Sequence, residues 1–246
     1  MQLNRFAVVL AIFAAVATAS AQIPDKFTNL QVFPKDTPKA ELQSTMRRFA
    51  FALNVRCPYC HMERPDKSID FAADEKQAKK TARIMLQMVA TINHDYVGKL
   101  ENGSAARVEC VTCHHGITQP KTMNAVLANS IETQGIDASV KLYHDLRGQY
   151  YGTGAYDFGE TPLNQLAESL LASHKSKEAV AIMEMNFASN NPQSVWAFHV
   201  LAMSHQANGE PEKALADFRK VLELHPDDTW AKQQIQSLSS PEGKTN

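Results

Sequence analysis

The sequence has almost no net charge: 25 Lys and Arg stand against 26 Asp and Glu, for a formal net charge of −1. Nucleic-acid binding asks for a concentrated basic face, and the net charge does not suggest one. Long apolar runs are missing as well. Beyond the N-terminal segment nothing is apolar enough to be a membrane span. Cysteine is scarce, with 4 residues in 246. None lies near the N-terminus, which argues against a lipid-anchored mature chain.

What the N-terminus does carry is a leader. In MQLNRFAVVLAIFAAVATASAQ, Arg5 supplies the positive region, Phe6 to Val16 the apolar stretch, and Ala19-Ser20-Ala21 the small-residue cleavage site. Residues 1–21 are therefore expected to be a signal peptide, with the mature chain starting near Gln22 and working outside the cytoplasm. The remaining length suits two modest domains. Charge divides them: residues 22–121 hold 15 Lys and Arg against 11 Asp and Glu, and residues 122–246 hold 9 against 15.

All four cysteines fall in two copies of one pattern, Cys57-Pro-Tyr-Cys60-His61 and Cys110-Val-Thr-Cys113-His114. A glutaredoxin-like dithiol needs one pair between a strand and a helix, yet the segment before Cys57 is helical in pattern. Zinc could take four thiolates from two knuckles but does not require a histidine after each. With 9 His in 246 residues, both knuckles would be followed by histidine by chance roughly once in 700 cases. Cys-x-x-Cys-His has its own chemistry: two thiols add to the two vinyl groups of a porphyrin, and the adjacent histidine becomes the proximal iron ligand. The reading is two covalently bound c-type haems, attached at Cys57, Cys60, Cys110 and Cys113, with His61 and His114 on the irons.

The sixth iron position separates carriers from catalysts, because methionine there raises the potential and closes the site. Before the first motif, Leu42, Met46, Phe49 and Leu53 recur at helical spacing, with a helix start at Thr37-Pro38 and a turn at Asn54-Val55. Before the second, DEKQAKKTARIMLQMVATINHDY carries a stripe of Ala82, Met85, Val89, Ile92 and Tyr96, with Met88 close to it and His94 on the opposite side. Methionine also fills irregular gaps in cores. The repetition of a methionine one helix upstream of each motif favours Met46 and Met85 as axial ligands, with Met88 as the runner-up to Met85. Met62 is poorly placed, since its neighbour His61 already holds the proximal side.

These residues resemble the cytochrome c subunit of photosynthetic reaction centres. MRRFAFALNVRCPYCH is similar to that family's methionine, Ala-Leu-x-Val and haem-motif run, and ARIMLQMVATIN followed by VTCHHG to its second. In the family the first methionine of the Met-x-x-Met pair ligates iron, which implies Met85 over Met88, and Met46 for the first haem. The match covers roughly residues 27–121. It departs from the family in having two motifs rather than four, His115 where arginine is frequent, and a different C-terminal half. The resemblance implies haem-mediated electron transfer rather than photosynthesis, and a small all-α domain of helix–loop–haem units. It also implies a bacterial periplasmic setting, the chain being free or held at the inner membrane through a partner or an uncleaved signal. Asn102-Gly103-Ser104 fits a glycosylation acceptor, which has no meaning there.

Residues 122–160 read as a helical linker, with ASVKLYHDLRGQYY an amphipathic helix. Residues 161–240 read as tetratricopeptide repeats with a capping helix. In 195–228, Phe198, Leu201, Ala202, Ala214, Phe218, Val221 and Pro226 stand at the packing positions of such a repeat; Leu163, Leu166, Ala167, Leu170, Ala179, Met183 and Pro192 do so in the unit before. Two repeats and a cap bury little core alone, so they are expected to lean on residues 138–160 or on a partner. His144, His174, His199, His205 and His225 have no ligand-like grouping. The function expected is a diheme electron carrier with a protein-docking module. It would serve redox partner proteins, such as a membrane-bound electron-transfer complex, and no nucleic acid or small-molecule substrate. Two alternatives stay open: a diheme peroxidase-like enzyme with one open haem, which lacks an acid–base pair near either motif, and a repeat adaptor whose haems are structural.

Overall fold

The computed structural model describes residues 23–101 and 106–240. The expected signal peptide and the Asn102-Gly103-Ser104 site lie outside the described residues. Among the described residues the fold is all-α apart from one hairpin of two-residue strands, and the chain forms two compact units, one ending at Thr112 and the other beginning at Cys113.

In the first unit, α1 (Lys39–Leu53) starts after Pro38, whose carbonyl accepts from the Leu42 amide at 3.0 Å. Thr37 stands at the expected start, but its hydroxyl donates back to the Pro34 carbonyl at 2.7 Å instead of capping the helix. Asn54 ends α1 in the left-handed conformation (φ 52°), and Val55 N–H returns to the Ala50 carbonyl at 2.9 Å. Asparagine tolerates that conformation because its short polar side chain bonds locally. The turn expected at Asn54-Val55 is therefore there.

Next come α2 (Cys57–Cys60) and an antiparallel pair, β1 (Met62–Glu63) and β2 (Ile69–Asp70), registered Met62 to Asp70. Helical periodicity does not reveal this hairpin. It closes because Asp66 accepts from the amide and hydroxyl of Ser68 (2.9 and 2.6 Å) while Arg64 pairs with Asp70 at 2.7 Å. Helix α3 (Gln77–Thr91) widens into a π-helical segment, Ile92–Tyr96, and a 3-10 turn, Val97–Lys99. Among the described residues here the buried hydrophobic ones are Leu42 and Ala52, with Phe51, Ile84, Met88, Tyr96 and Leu100 exposed.

The second unit is built differently. After α4 (Cys110–His114), which straddles the boundary, come α5 (Met123–Gln134), α6 (Ile136–Tyr150), α7 (Glu160–Ala172), α8 (Ser176–Asn190), α9 (Val195–Ala207), α10 (Pro211–Leu224) and α11 (Thr229–Ser239). Met123, Leu127, Tyr143 and Phe158 share one core with Leu163, Leu166, Met183 and Val200, so α5 and α6 pack onto the repeat helices. A second core joins Ala202, Ala214, Phe218, Val221 and Ala231. Of the repeat positions named from sequence, Phe198 is half-buried and Pro226 exposed; the rest are buried. Ser194 caps α9 through the Ala197 amide (3.0 Å) and Asp228 caps α11 through that of Ala231 (2.8 Å).

Among the histidines, His205 is buried with Nδ1 2.6 Å from Asp217, and His199 lies against Trp230 and 3.0 Å from Asp228. His144, His174 and His225 are exposed. Phe218 is fully buried and meets the Trp230 ring at 5.3 Å, fixing the capping helix. Phe218→Ala should cost about 3–5 kcal/mol in chemical denaturation of the second unit, the usual loss for truncating a buried phenylalanine.

Candidate functional site

The first motif is held from three sides. Pro58 sits in the opening turn of α2, where its missing N–H costs nothing. The His61 amide closes the turn on the Cys57 carbonyl at 3.0 Å, and Lys76 donates its ammonium to the Pro58 carbonyl. Burial pushes the Cys60 thiol up, with the Lys76 charge opposing it. The hairpin then returns the chain so that Phe71 meets the His61 ring edge-on, 5.1 Å between centroids.

Lys79 fixes that return. Only 8 % exposed, it donates to the carbonyls of Phe71 (2.9 Å), Ala72 (3.1 Å) and Ala73 (2.7 Å) and pairs with Asp74 at 2.9 Å. Arg83 pairs with the same Asp74 oxygen at 2.9 Å, and Gln31 donates to the other at 3.0 Å. Hydrogen bonds from Arg83, Lys79 and Asn29 hold the Asp74 carboxyl well below the usual range. Burial first, then the Lys79 charge, pushes the His61 imidazole down, against the pull of the Phe71 carbonyl. An iron ligand must be neutral imidazole, and this setting favours that form. His61 Nδ1 is buried without a well-formed hydrogen bond.

The second motif is approached through Asn93. Its side chain grips Val108 twice, Nδ2 donating to the carbonyl and Oδ1 accepting from the amide, both at 2.8 Å. That fixes the chain two residues before Cys110, and Thr112 Oγ1 accepts from the Glu109 amide at 3.0 Å. In the second unit, His115 (φ 47°) and Gly116 (φ 86°) curl the backbone left-handed. The Ile117 carbonyl thereby lies 2.8 Å from His114 Nδ1. A carbonyl only accepts, so Nδ1 carries the proton and Nε2 keeps its lone pair for a metal. A cavity of about 510 Å³ in this unit opens beside Cys113, lined by Met123, Tyr156, Asp157 and Pro162. Burial, then Tyr150, pushes the Tyr156 phenol up, so it stays a donor.

Cys57, Cys60 and Cys113 are outside any disulfide and Cys110 is half-buried. These residues fit a porphyrin: paired thiols one helical turn apart, a histidine directly after each pair, and apolar surface that the protein itself leaves uncovered. The two attachment motifs would hold haem through Cys57, Cys60 and His61, and through Cys110, Cys113 and His114. Met46 and Met85 are half-buried on α1 and α3, and Met88 is 43 % exposed. His94 is 87 % exposed in its side chain and 2.7 Å from Asp95. Sequence reasoning gave Lys79, Phe71 and Asn93 no role. Asn93 did lie in a quoted motif, and that was the available signal.

The family model of the photosynthetic reaction centre cytochrome c subunit matches residues 3–204, and a tetratricopeptide repeat model matches 195–228. This chain belongs to the photosynthetic reaction centre cytochrome c subunit family. Its members are electron carriers with covalently bound haem. Cytochrome c-554 of Chloroflexus aurantiacus is 35% identical over 77 residues, covering 31% of this chain and 17% of that protein. The photosynthetic reaction center cytochrome c subunit of Rubrivivax gelatinosus is 29% identical over 114 residues, covering 38% of this chain and 30% of that one. The chain thus spans under a third of the length of either curated relative. Among solved structures, the first TPR domain of human RPAP3 aligns at 16% identity and TM-score 0.33, covering 48% of this chain and 87% of that one.

Two outcomes test the anchoring. Asn93→Ala strips both partners from Val108, so hydrogen exchange at the Val108 amide should accelerate by about tenfold to a hundredfold, as loss of a buried bond worth about 1–3 kcal/mol implies. Asp74 has a depressed folded-state pKa, so its stabilisation is fully present above the ordinary value of 3.8 and is lost as pH falls through the folded value. The stability difference between the parent and Asp74→Asn should stay constant down to about pH 4 and close only below it, in denaturant titrations at successive pH values.

Proposed function

We propose that this chain is an exported, periplasmic diheme c-type cytochrome that carries electrons between redox proteins and docks through its helical repeats. The observation that supports it most is the doubled Cys-x-x-Cys-His unit, in which His114 has Nδ1 engaged by the Ile117 carbonyl at 2.8 Å and Nε2 available to iron. When bound, haem supplies the one-electron chemistry. The chain's own residues orient the ligands, exclude water and set the surrounding charge.

Met46 and Met85 are the proposed sixth ligands, which would close both irons to small molecules and raise their potentials. The partners are redox proteins, with a membrane-bound electron-transfer complex the class suggested by the name of the Rubrivivax relative. Four propionates would roughly cancel the +4 of residues 22–121 (15 Lys and Arg against 11 Asp and Glu), leaving the acidic C-terminal half to steer towards a basic partner.

The test is the intact mass of the protein exported alongside the cytochrome maturation machinery. The expected gain is two haem masses over a chain beginning near Gln22; one haem, or zinc in place of haem, overturns the reading. Met46→Ala and Met85→Ala should each lower one potential and open one haem to carbon monoxide. Rapid carbon monoxide binding in the parent protein would instead make one haem an open, enzyme-like site. Unmoved potentials in both variants would leave the methionines as core residues.

A further inference from the structure

We infer that Lys79 is a positioning residue that makes the first haem the higher-potential one of the two. The inference rests on the two-haem reading above. It follows from the unlike way in which the chain surrounds His61 and His114.

Around His61 the fixed charges do not balance. Lys79 and Arg83 share one carboxylate, Asp74, at 2.9 Å each. The carboxylate acting on His61, Asp70, is already paired with Arg64 at 2.7 Å. Two cations, Lys79 and Arg83, and one carboxylate, Asp70, act on His61, and the most deeply buried of the three is Lys79, 8 % exposed. Its ammonium bonds the carbonyl of Phe71, whose ring packs on His61 at 5.1 Å. A surplus positive charge in a partly desolvated site disfavours the ferric ion, which carries one more positive charge than the ferrous.

Hydrogen bonding acts in the same direction. The Phe71 carbonyl, the acceptor facing His61, is shared with Lys79 at 2.9 Å, and the buried Nδ1 of His61 makes no well-formed bond to it. His114 Nδ1 is bonded to the Ile117 carbonyl at 2.8 Å. Donation to a carbonyl makes an imidazole a more basic ligand, and a more basic ligand favours ferric iron and lowers the potential. The first haem is raised by charge and by a weaker donor; the second is lowered by a stronger one. An electron entering at the second haem therefore settles on the first.

Spectroelectrochemical titration of the full-length holoprotein tests this, after intact mass has counted the haems in each preparation. Two one-electron waves are expected, and the higher should be absent in the double variant Cys57→Ser, Cys60→Ser. Lys79→Met should move that wave down by about threefold to tenfold in the ferric-to-ferrous equilibrium, up to about 59 mV, and leave the lower wave in place. Lys79→Arg should keep the wave near its original position, because it keeps the charge. The inference fails if the higher wave survives loss of Cys57 and Cys60, a result that needs no Lys79 variant to fold. It fails equally if Lys79→Met moves neither wave, or if Lys79→Arg moves it as far as Lys79→Met. A protein with two haem masses and the reverse order sinks this inference alone; one with fewer than two sinks the diheme reading as well.

Discussion

The first unit depends on one buried ammonium. A lysine withdrawn from water is costly unless its charge is paired and its donors are used. Lys79 meets both conditions by taking three successive carbonyls, Phe71 to Ala73, and the Asp74 carboxylate. That choice dictates the rest. It pins the return limb of the hairpin to α3, and the same loop reaches the N-terminal segment through Asn29 Nδ2 on the Ala72 carbonyl at 2.6 Å and Arg83 on the Asn29 carbonyl at 3.4 Å. Among the described residues of this unit the buried hydrophobic ones are Leu42 and Ala52, so packing of protein side chains on one another does little to orient these elements. Directional polar contacts do so, and they converge beside His61.

The two histidines show different solutions to one problem. The proposed proximal ligands must each be held in orientation. His114 achieves this locally: three residues of chain, two of them left-handed, carry a carbonyl back to its Nδ1. His61 does so at long range, through a ring ten residues away that is positioned by a side chain eight residues further on. The local device is self-contained. The long-range one exposes the ligand to the net charge of everything that builds it, so orientation and electrostatics are coupled at the first motif and separate at the second.

That contrast also explains what could be read from the sequence. The two Cys-x-x-Cys-His motifs stand out in the sequence because the covalent haem attachment proposed for them would impose that spacing. The end of α1 was legible because Asn54 tolerates a left-handed turn that few residues adopt. The first repeat-like pair, from Leu163 to Met183, was legible because helical packing imposes a period. Lys79 was not, since a lysine in a helical pattern is ordinarily solvated, and only loop carbonyls brought near by the hairpin reverse that expectation. Asn93 bonds a residue 15 positions on, and Arg147 reaches Ser189 and Asn190, 42 and 43 positions away. Neither separation is a period of helix or strand, so no local pattern carries it.

Arg147 bears on how far the repeat array extends. Its guanidinium donates to the Tyr143 hydroxyl and the Phe158 carbonyl, both at 3.1 Å, and to Asn190 at 3.3 Å. Asn190 continues to Asn186 at 2.9 Å, and Asn186 to the buried Asn164 at 2.8 Å. This polar seam runs beside the core that joins α5 and α6 to α7 and α8, so those four helices form one packed body. Helix α9 then has two faces to cover. Ala197, Val200 and Leu201 belong to that body, while Ala202, with Val195 and Phe198 against it, belongs to the core of α10 and α11. A helix serving two cores must be apolar nearly all round, and Val195–Ala207 is. The cytochrome-family match ends at residue 204 and the repeat match begins at 195. Both matches include α9, the helix that forms the last wall of one core and the first wall of the next.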